Sequence, residues 1–427
     1  MSSNEHIVII GNGIAGITTA LEFRKLNPKA RVTIVSAETP YFYSRPALMY
    51  IFMGHMELSH TQPYPKNFWK KQKLDLVFDR VTSISGTEKK LTLQEGGELA
   101  WDKLVLATGS KSNKFGWPGQ DLDGVQGFYD LQDLELLEKN IVGVSKAVIV
   151  GGGLIGIELA EMLHMRGIHV SFLIREGAYW SNVLPIEESE MIGELIEKEG
   201  FDLIRSTNLK EIVDDGNGRV CAITTEFDQR IDCGFVGLTP GVSPNLSLAE
   251  GSNIPTKRGY TVNPFLESER EDVFACGDCA EVVQEDGSSR VWPLWYTGKI
   301  QGEALAKTLN GEKTRFEMGT FYNSAKFLDL EYQTYGEVFP NRENETHYFW
   351  RNAEGNKSIR LVEKEGALIG VNVFGIRYRQ NVCHQWIEAK LPISKVLEEL
   401  PKANFDPEFS HRYEPEAVVE FKKQLQA

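Results

Sequence analysis

Two stretches of the chain switch from an unbroken apolar run to apolar residues at helical spacing, each with a glycine-rich turn at the switch. The first reads HIVII, GNGIAG, ITTALEFRKL and VTIVS; the second, about 140 residues further on, reads AVIV, GGGLIG, IELAEMLHMR and VSFLI. A short continuous apolar run predicts a buried strand, and apolar residues at every third or fourth position predict a helix. Asn27 and Pro28 close the first helix, and Gly167 closes the second. Beyond Glu317 the pattern changes: FYNSAKFLDLEYQTYGEVF and IRLVEKEGALIGVNVFG predict antiparallel strands, and QWIEAKLPISKVLEEL predicts a closing helix.

A strand, glycine turn, helix and strand in that order give the G-x-G-x-x-G spacing its physical meaning. Gly11 and Gly151 permit the tight turn, Gly13 and Gly153 let the backbone approach a diphosphate, and Gly16 and Gly156 let helix pack closely on strand. The diphosphate would sit at the helix N-terminus, where unpaired N–H groups favour negative charge. The expected fold is therefore α/β, with two Rossmann-like dinucleotide-binding domains and a C-terminal α+β domain. Glu38, just past VTIVS, stands near the distance at which an acidic residue takes ribose hydroxyls. In the second unit Ile174 takes that place, followed by Arg175, suited to the 2'-phosphate of NADPH, and Glu176, suited to the free ribose of NADH.

Composition narrows the partners. A formal net charge of −14 over 427 residues opposes broad attraction to nucleic acid or anionic lipid. The longest apolar run, 147 to 163, contains Glu158 and Glu161, so no membrane span is expected. The N-terminus leads almost directly into a strand with no leader pattern, and a cytoplasmic location is expected. Five cysteines, few and odd in number, argue against a disulfide scaffold. One basic cluster, KNFWKKQK, carries Lys66, Lys70, Lys71 and Lys73 around Phe68 and Trp69. It reads as a solvated helix face or as a docking patch for an acidic partner. In ACGDCA, either Cys276 and Cys279 form a redox dithiol or Asp278 carries the function.

GNGIAG, KLVLATGS, GGGLIGIE, LTPGVSPN and VFACGDCA, in this order, resemble the motifs of the FAD-dependent pyridine nucleotide-disulphide oxidoreductases. Within that family the chain is most similar to the reductases of rubredoxin, ferredoxin and related carriers. The resemblance covers roughly residues 6 to 310. It implies an FAD-binding domain of residues 1–112 and 243–318, an NAD(P)H-binding domain of 113–242, and a C-terminal α+β domain of 319–427. It also implies a hydride passed from NADPH or NADH to flavin N5, with electrons then leaving to a small redox protein. A quinone or other small oxidant is the alternative acceptor, and an FAD- and NADH-dependent interaction protein resembling apoptosis-inducing factor is the alternative class.

The same resemblance assigns residues. Gly11, Gly13, Ile14, Ala15, Gly16, Glu38, Arg45, Pro46, Val81, Thr108, Gly109, Gly277, Asp278, Tyr296 and Thr297 are expected around FAD. Gly151, Gly153, Leu154, Ile155, Gly156, Glu158, Arg175 and Gly241 are expected around the pyridine nucleotide. Asp278 would accept hydrogen bonds from the ribityl part of FAD, which leaves the two cysteines without a redox role. Arg45 and Pro46, in YFYSRPALMYIFMG, would lie beside the flavin ring, where disulphide-reducing relatives carry a cysteine. Arg45, Glu158 and Trp295 are the expected catalytic residues. Tyr50 stands where many relatives have a lysine paired with the glutamate matching Glu158, so Glu158 is expected to hold a proton before cofactor binds. No metal ligand set is expected.

Overall fold

A computed structural model describes residues 5–340 and 342–426. The chain divides into two compact units. The first comprises the chain up to Lys114, Gly127–Val142 and Gly241–Met318; the second comprises Phe115–Gln126, Gly143–Pro240 and the chain from Gly319.

The first unit is built on a parallel five-stranded sheet in the order Val273–Ala275, Lys103–Leu106, His6–Ile10, Arg31–Ser36, Asp75–Phe78. Ile7, Val8 and Ile9 on the middle strand are wholly buried, as an apolar run without alternation requires in a sheet covered on both faces. The expected first helix spans Ile14–Leu26. It packs against the helix Trp295–Leu309, where a β-carbon on Gly302 would lie 2.8 Å from the Ala15 carbonyl oxygen. Only a residue without that carbon lets the two helices approach so closely.

In the second unit the parallel sheet runs Asp202–Ile204, His169–Leu173, Lys146–Val150, Phe235–Leu238, Val125–Gln126. The helix Leu154–Met165 follows its central strand. An antiparallel sheet of Tyr322–Phe327, Leu330–Gly336, Ala367–Phe374, Ser358–Lys364 and Thr346–Arg351 encloses a core of its own. The residues from 319 onward fall in the same compact unit as 143–240. The tie is electrostatic as well as apolar. Arg360 of the antiparallel sheet donates to both carboxylate oxygens of the fully buried Glu188 at 2.7 Å, and Lys326 pairs with Glu161 at 2.7 Å. A buried charge left without its partner is costly, so the pair Arg360–Glu188 fixes the register of the helix Ile186–Lys198 against the sheet.

The expected closing helix is two helices, Gln380–Glu388 and Ile393–Glu399. Pro392 lacks an N–H and its ring would clash with the preceding turn, so the helix stops and restarts there. No helix among the described residues is long and apolar enough to cross a membrane.

Candidate dinucleotide-binding sites

Both glycine turns have the conformation their sequence anticipates. Gly11 has φ +113° and Gly151 φ +123°, values in which an L side chain is strained. A β-carbon on Gly11 would meet the Ala107 carbonyl oxygen at 2.1 Å, and one on Gly151 would meet that of Thr239 at 2.6 Å. By contrast, a β-carbon on Gly13 would have nothing within 4 Å, so the start of the 13-residue helix presents an open backbone face. Ile14 and Leu154 begin the two helices, with Ala15 and Ile155 next in each and Gly16 and Gly156 at the close packing points. A β-carbon on Gly16 would lie 2.1 Å from the Gly11 carbonyl oxygen.

Around the first turn lie two carboxylates. Glu38, two residues past the strand Arg31–Ser36, accepts from Arg45 Nη1 at 3.0 Å and Nη2 at 2.6 Å, from the Leu131 N–H at 3.2 Å, and from the Tyr43 hydroxyl. Asp278, just past the strand Val273–Ala275, accepts on Oδ2 from the Ser110 hydroxyl at 3.2 Å and the Tyr129 hydroxyl at 3.3 Å. Burial pushes the Asp278 carboxyl up, and these two donors oppose that shift. Tyr129 joins the two carboxylates: its carbonyl accepts from Arg45 Nη1 at 2.9 Å, its ring lies 4.6 Å from the Arg45 guanidinium carbon, and its hydroxyl accepts from the Ser110 N–H at 2.9 Å. Nothing in the sequence marked Tyr129. Its segment, Gly127–Val142, returns to the first unit from the second.

Arg45 and Glu38 form one ion pair, whereas their expected roles lie at opposite ends of an FAD molecule. Pro46 follows Arg45 in the short turn Arg45–Ala47. Thr108 donates to the Asn245 carbonyl at 2.8 Å, and Gly109, at φ +70°, lies close under Tyr129, whose hydroxyl would be 2.9 Å from an added β-carbon. Val81 is buried in the core at the start of a small antiparallel sheet.

The Gly277 N–H donates to Gln301 Oε1 at 2.6 Å, which ties the Asp278 turn to the helix Trp295–Leu309. The Nε2 of Gln301 is buried with no partner among the described residues. Trp295, a third exposed, stands at the N-terminal start of that helix, stacked edge-on with Tyr296; Thr297 is fully buried. An open helix start, two partly accessible carboxylates and an unpartnered amide together fit a dinucleotide such as FAD.

Cys276 and Cys279 are free thiols, both wholly buried. Burial pushes Cys276 up to about 12 and Cys279 upward as well. Cys279 donates to the Leu106 carbonyl at 3.3 Å. A redox thiol needs thiolate character and access, and neither is present.

In the second unit Glu158 lies one turn into the helix. Burial, reinforced by Glu161 and opposed by Lys326, raises its carboxyl to about 7. Lys326, on the strand Tyr322–Phe327, is the nearby cation that the sequence did not reveal, because it comes from the C-terminal sheet. Tyr50, in the first unit, stacks on His55 with ring centroids 6.3 Å apart. Ile174 is fully buried, while Arg175 reaches into solvent and pairs with Glu176 at 2.8 Å. Gly241 belongs to the first unit, where its carbonyl accepts from the Asn113 N–H at 3.1 Å.

Three lysines of the cluster lie on the helix Lys66–Lys71 and Lys73 two residues beyond it, with Trp69 buried beneath and all four lysines exposed. That helix packs on Asp75–Phe78, the sheet edge opposite the strand leading to Asp278. Four strand spacings amount to about 19 Å. The cluster is therefore remote from Asp278.

The chain belongs to the pyridine nucleotide-disulphide oxidoreductase family, whose model matches residues 5–302. It is 30% identical over 315 residues to a rubredoxin-NAD(+) reductase of Acinetobacter baylyi, covering 72% of this chain and 79% of that protein. It is 25% identical to a nitrite reductase [NAD(P)H] of Bacillus subtilis, covering 92% of this chain but 48% of the longer protein. A crystal structure of a ferredoxin reductase from Rhodopseudomonas palustris shares the fold, with TM-score 0.79 and 23% identity over 87% of this chain and 91% of that one. The protein is an FAD-dependent NAD(P)H oxidoreductase.

Proposed function

We propose that the protein is a cytoplasmic carrier reductase, taking electrons from NADH or NADPH and delivering them to a small redox protein such as a rubredoxin or ferredoxin. The observation that carries this reading is the set of thiols. No cysteine precedes Cys221, so YFYSRPALMYIFMG offers no thiol to relay electrons to a disulphide, and Cys276 and Cys279 are sealed in the core. The similarity to a rubredoxin-NAD(+) reductase over 72% of the chain supports the choice of acceptor.

In this reading 1–112 with 243–318 serve FAD, joined by Gly127–Val142, the rest of 113–242 serves the pyridine nucleotide, and 319–427 is the C-terminal domain. The open face at Gly13 receives the FAD diphosphate, Glu38 with Arg45 holds the ribose end, and Asp278 accepts from the ribityl chain. Gly153 receives the second diphosphate, and Glu158 holds a proton near neutrality. The N-terminus of the helix Trp295–Leu309 presents its positive end to the flavin, where negative charge accumulates on reduction. When bound, the flavin supplies the chemistry of accepting an electron pair and releasing single electrons. Trp295 marks the exit surface.

Rapid mixing of the FAD-loaded protein with NADH or NADPH, followed by rubredoxin, ferredoxin or coenzyme-A disulphide, tests the reading. Fast reduction of a carrier and none of the disulphide is expected; disulphide turnover without carrier reduction would sink it.

A further inference from the structure

Trp180 has no part in the site as described, yet its backbone is among the least ordinary in the chain. Its φ of +60° is left-handed, a conformation that is costly for a bulky side chain and persists only where the surroundings impose it. Those surroundings are aromatic. The Trp180 ring lies 5.6 Å from Phe327 and 6.0 Å from Tyr332, centroid to centroid, both on the antiparallel sheet of the second unit. The neighbouring Tyr179, fully buried, donates its hydroxyl to the Gly153 carbonyl at 2.9 Å.

This arrangement holds the indole over the second glycine turn. A β-carbon on Gly153 would have one neighbour within 4 Å, the indole Nε1 of Trp180 at 3.9 Å, and one on Gly152 would lie 3.6 Å from the Trp180 backbone nitrogen. The open face of Gly153 is where a diphosphate approaches the backbone. An indole carries one donor and no acceptor, so an anion is its natural partner there.

We infer that Trp180 is a positioning residue of the pyridine-nucleotide site, its indole N–H donating to the cofactor's diphosphate while Phe327 and Tyr332 hold the ring in place. The inference rests on the assignment of the GGGLIG turn to NADH or NADPH. It gives the C-terminal sheet a role in the site, since that sheet sets the ring's position.

The test is calorimetric titration of the FAD-loaded protein with ADP-ribose, which carries the diphosphate and lacks nicotinamide. Trp180→Phe keeps an aromatic ring against Phe327 and Tyr332 and deletes the N–H. Its dissociation constant for ADP-ribose should rise about tenfold, the scale of one hydrogen bond to a charged group, with the melting temperature unchanged. Phe327→Leu, which loosens the seat of the ring, should raise the constant by a smaller factor. Binding by Trp180→Phe equal to or tighter than wild type overturns the inference and leaves the site assignment standing. Wild-type protein that binds neither ADP-ribose nor NADH nor NADPH overturns the assignment itself.

Discussion

The two glycine turns are near copies in sequence and differ in what surrounds them. The first is prepared from its own unit: Glu38 is already held by Arg45, Tyr43 and the Leu131 N–H, and Asp278 by Ser110 and Tyr129. At the second, the corresponding acidic position is a buried isoleucine, Arg175 extends into solvent, and the carboxyl one turn into the helix is raised to about 7. A site whose ligands are fixed before binding suits a cofactor that stays. A site with loosely held selectors suits one that comes and goes with each turnover.

The sharpest way to break this comparison is to fill the turns. Gly11→Ala should destabilise the first unit by about 3 kcal/mol or more, because the methyl meets a carbonyl oxygen at a strained φ. Gly151→Ala should cost less, its contact being 2.6 Å rather than 2.1 Å, and Gly13→Ala should leave the melting temperature unchanged while weakening FAD binding. Calorimetric melting of the three variants orders them; equal losses at Gly11 and Gly13 would contradict the open face.

Next in size is Asp278→Ala, expected to weaken FAD binding by about 1.5–3 kcal/mol, the range for a hydrogen bond to a charged group. Release of FAD on gel filtration reads this directly. Retention equal to wild type would remove Asp278 from the site.

Glu158 sharpens the comparison through pH. Its folded pKa of about 7 lies above the ordinary carboxyl value, so between those values the folded chain binds more protons than the unfolded one. Stability from this group is complete below the unfolded value and is lost as pH rises through 7. Glu158→Gln should remove that part of the slope in melting temperature, and Lys326→Met, which deletes the opposing cation, should move the midpoint above 7. An unchanged slope in Glu158→Gln would show that the carboxyl titrates normally. The smallest effect is expected at Arg175: Arg175→Ala should raise the Michaelis constant for NADPH and spare NADH, and an equal change for both would end its role as selector.

Legibility in the sequence follows locality. The strand, turn and helix around Gly11 and Gly151 were readable because periodicity and glycine spacing are local properties. The pairing of Arg45 with Glu38 was not legible, because a motif carries no information about which partner a side chain reaches; only the fold brings the two together. Tyr129 and Lys326 carried no signal, since each enters its site from a segment far away in the chain. The break at Pro392 was present in the sequence, and the apolar spacing on either side concealed it.

The interleaving of the two units also bears on the order in which they are made. By the time a ribosome has added Leu238, every parallel strand of the second sheet has been synthesised, from Val125–Gln126 to Phe235–Leu238. The first sheet, begun at His6, still lacks its edge strand Val273–Ala275, and the helix Ile14–Leu26 lacks its partner Trp295–Leu309. Domains generally fold from the N-terminus during synthesis, but here the first unit to start is left with an open edge while the later sheet completes its strands. The nascent first unit is thus left with an unpaired strand edge and an uncovered helix face for some 35 to 70 residues of further translation at about 5–20 residues per second, an exposure of the kind that invites wrong pairing until the later segments arrive.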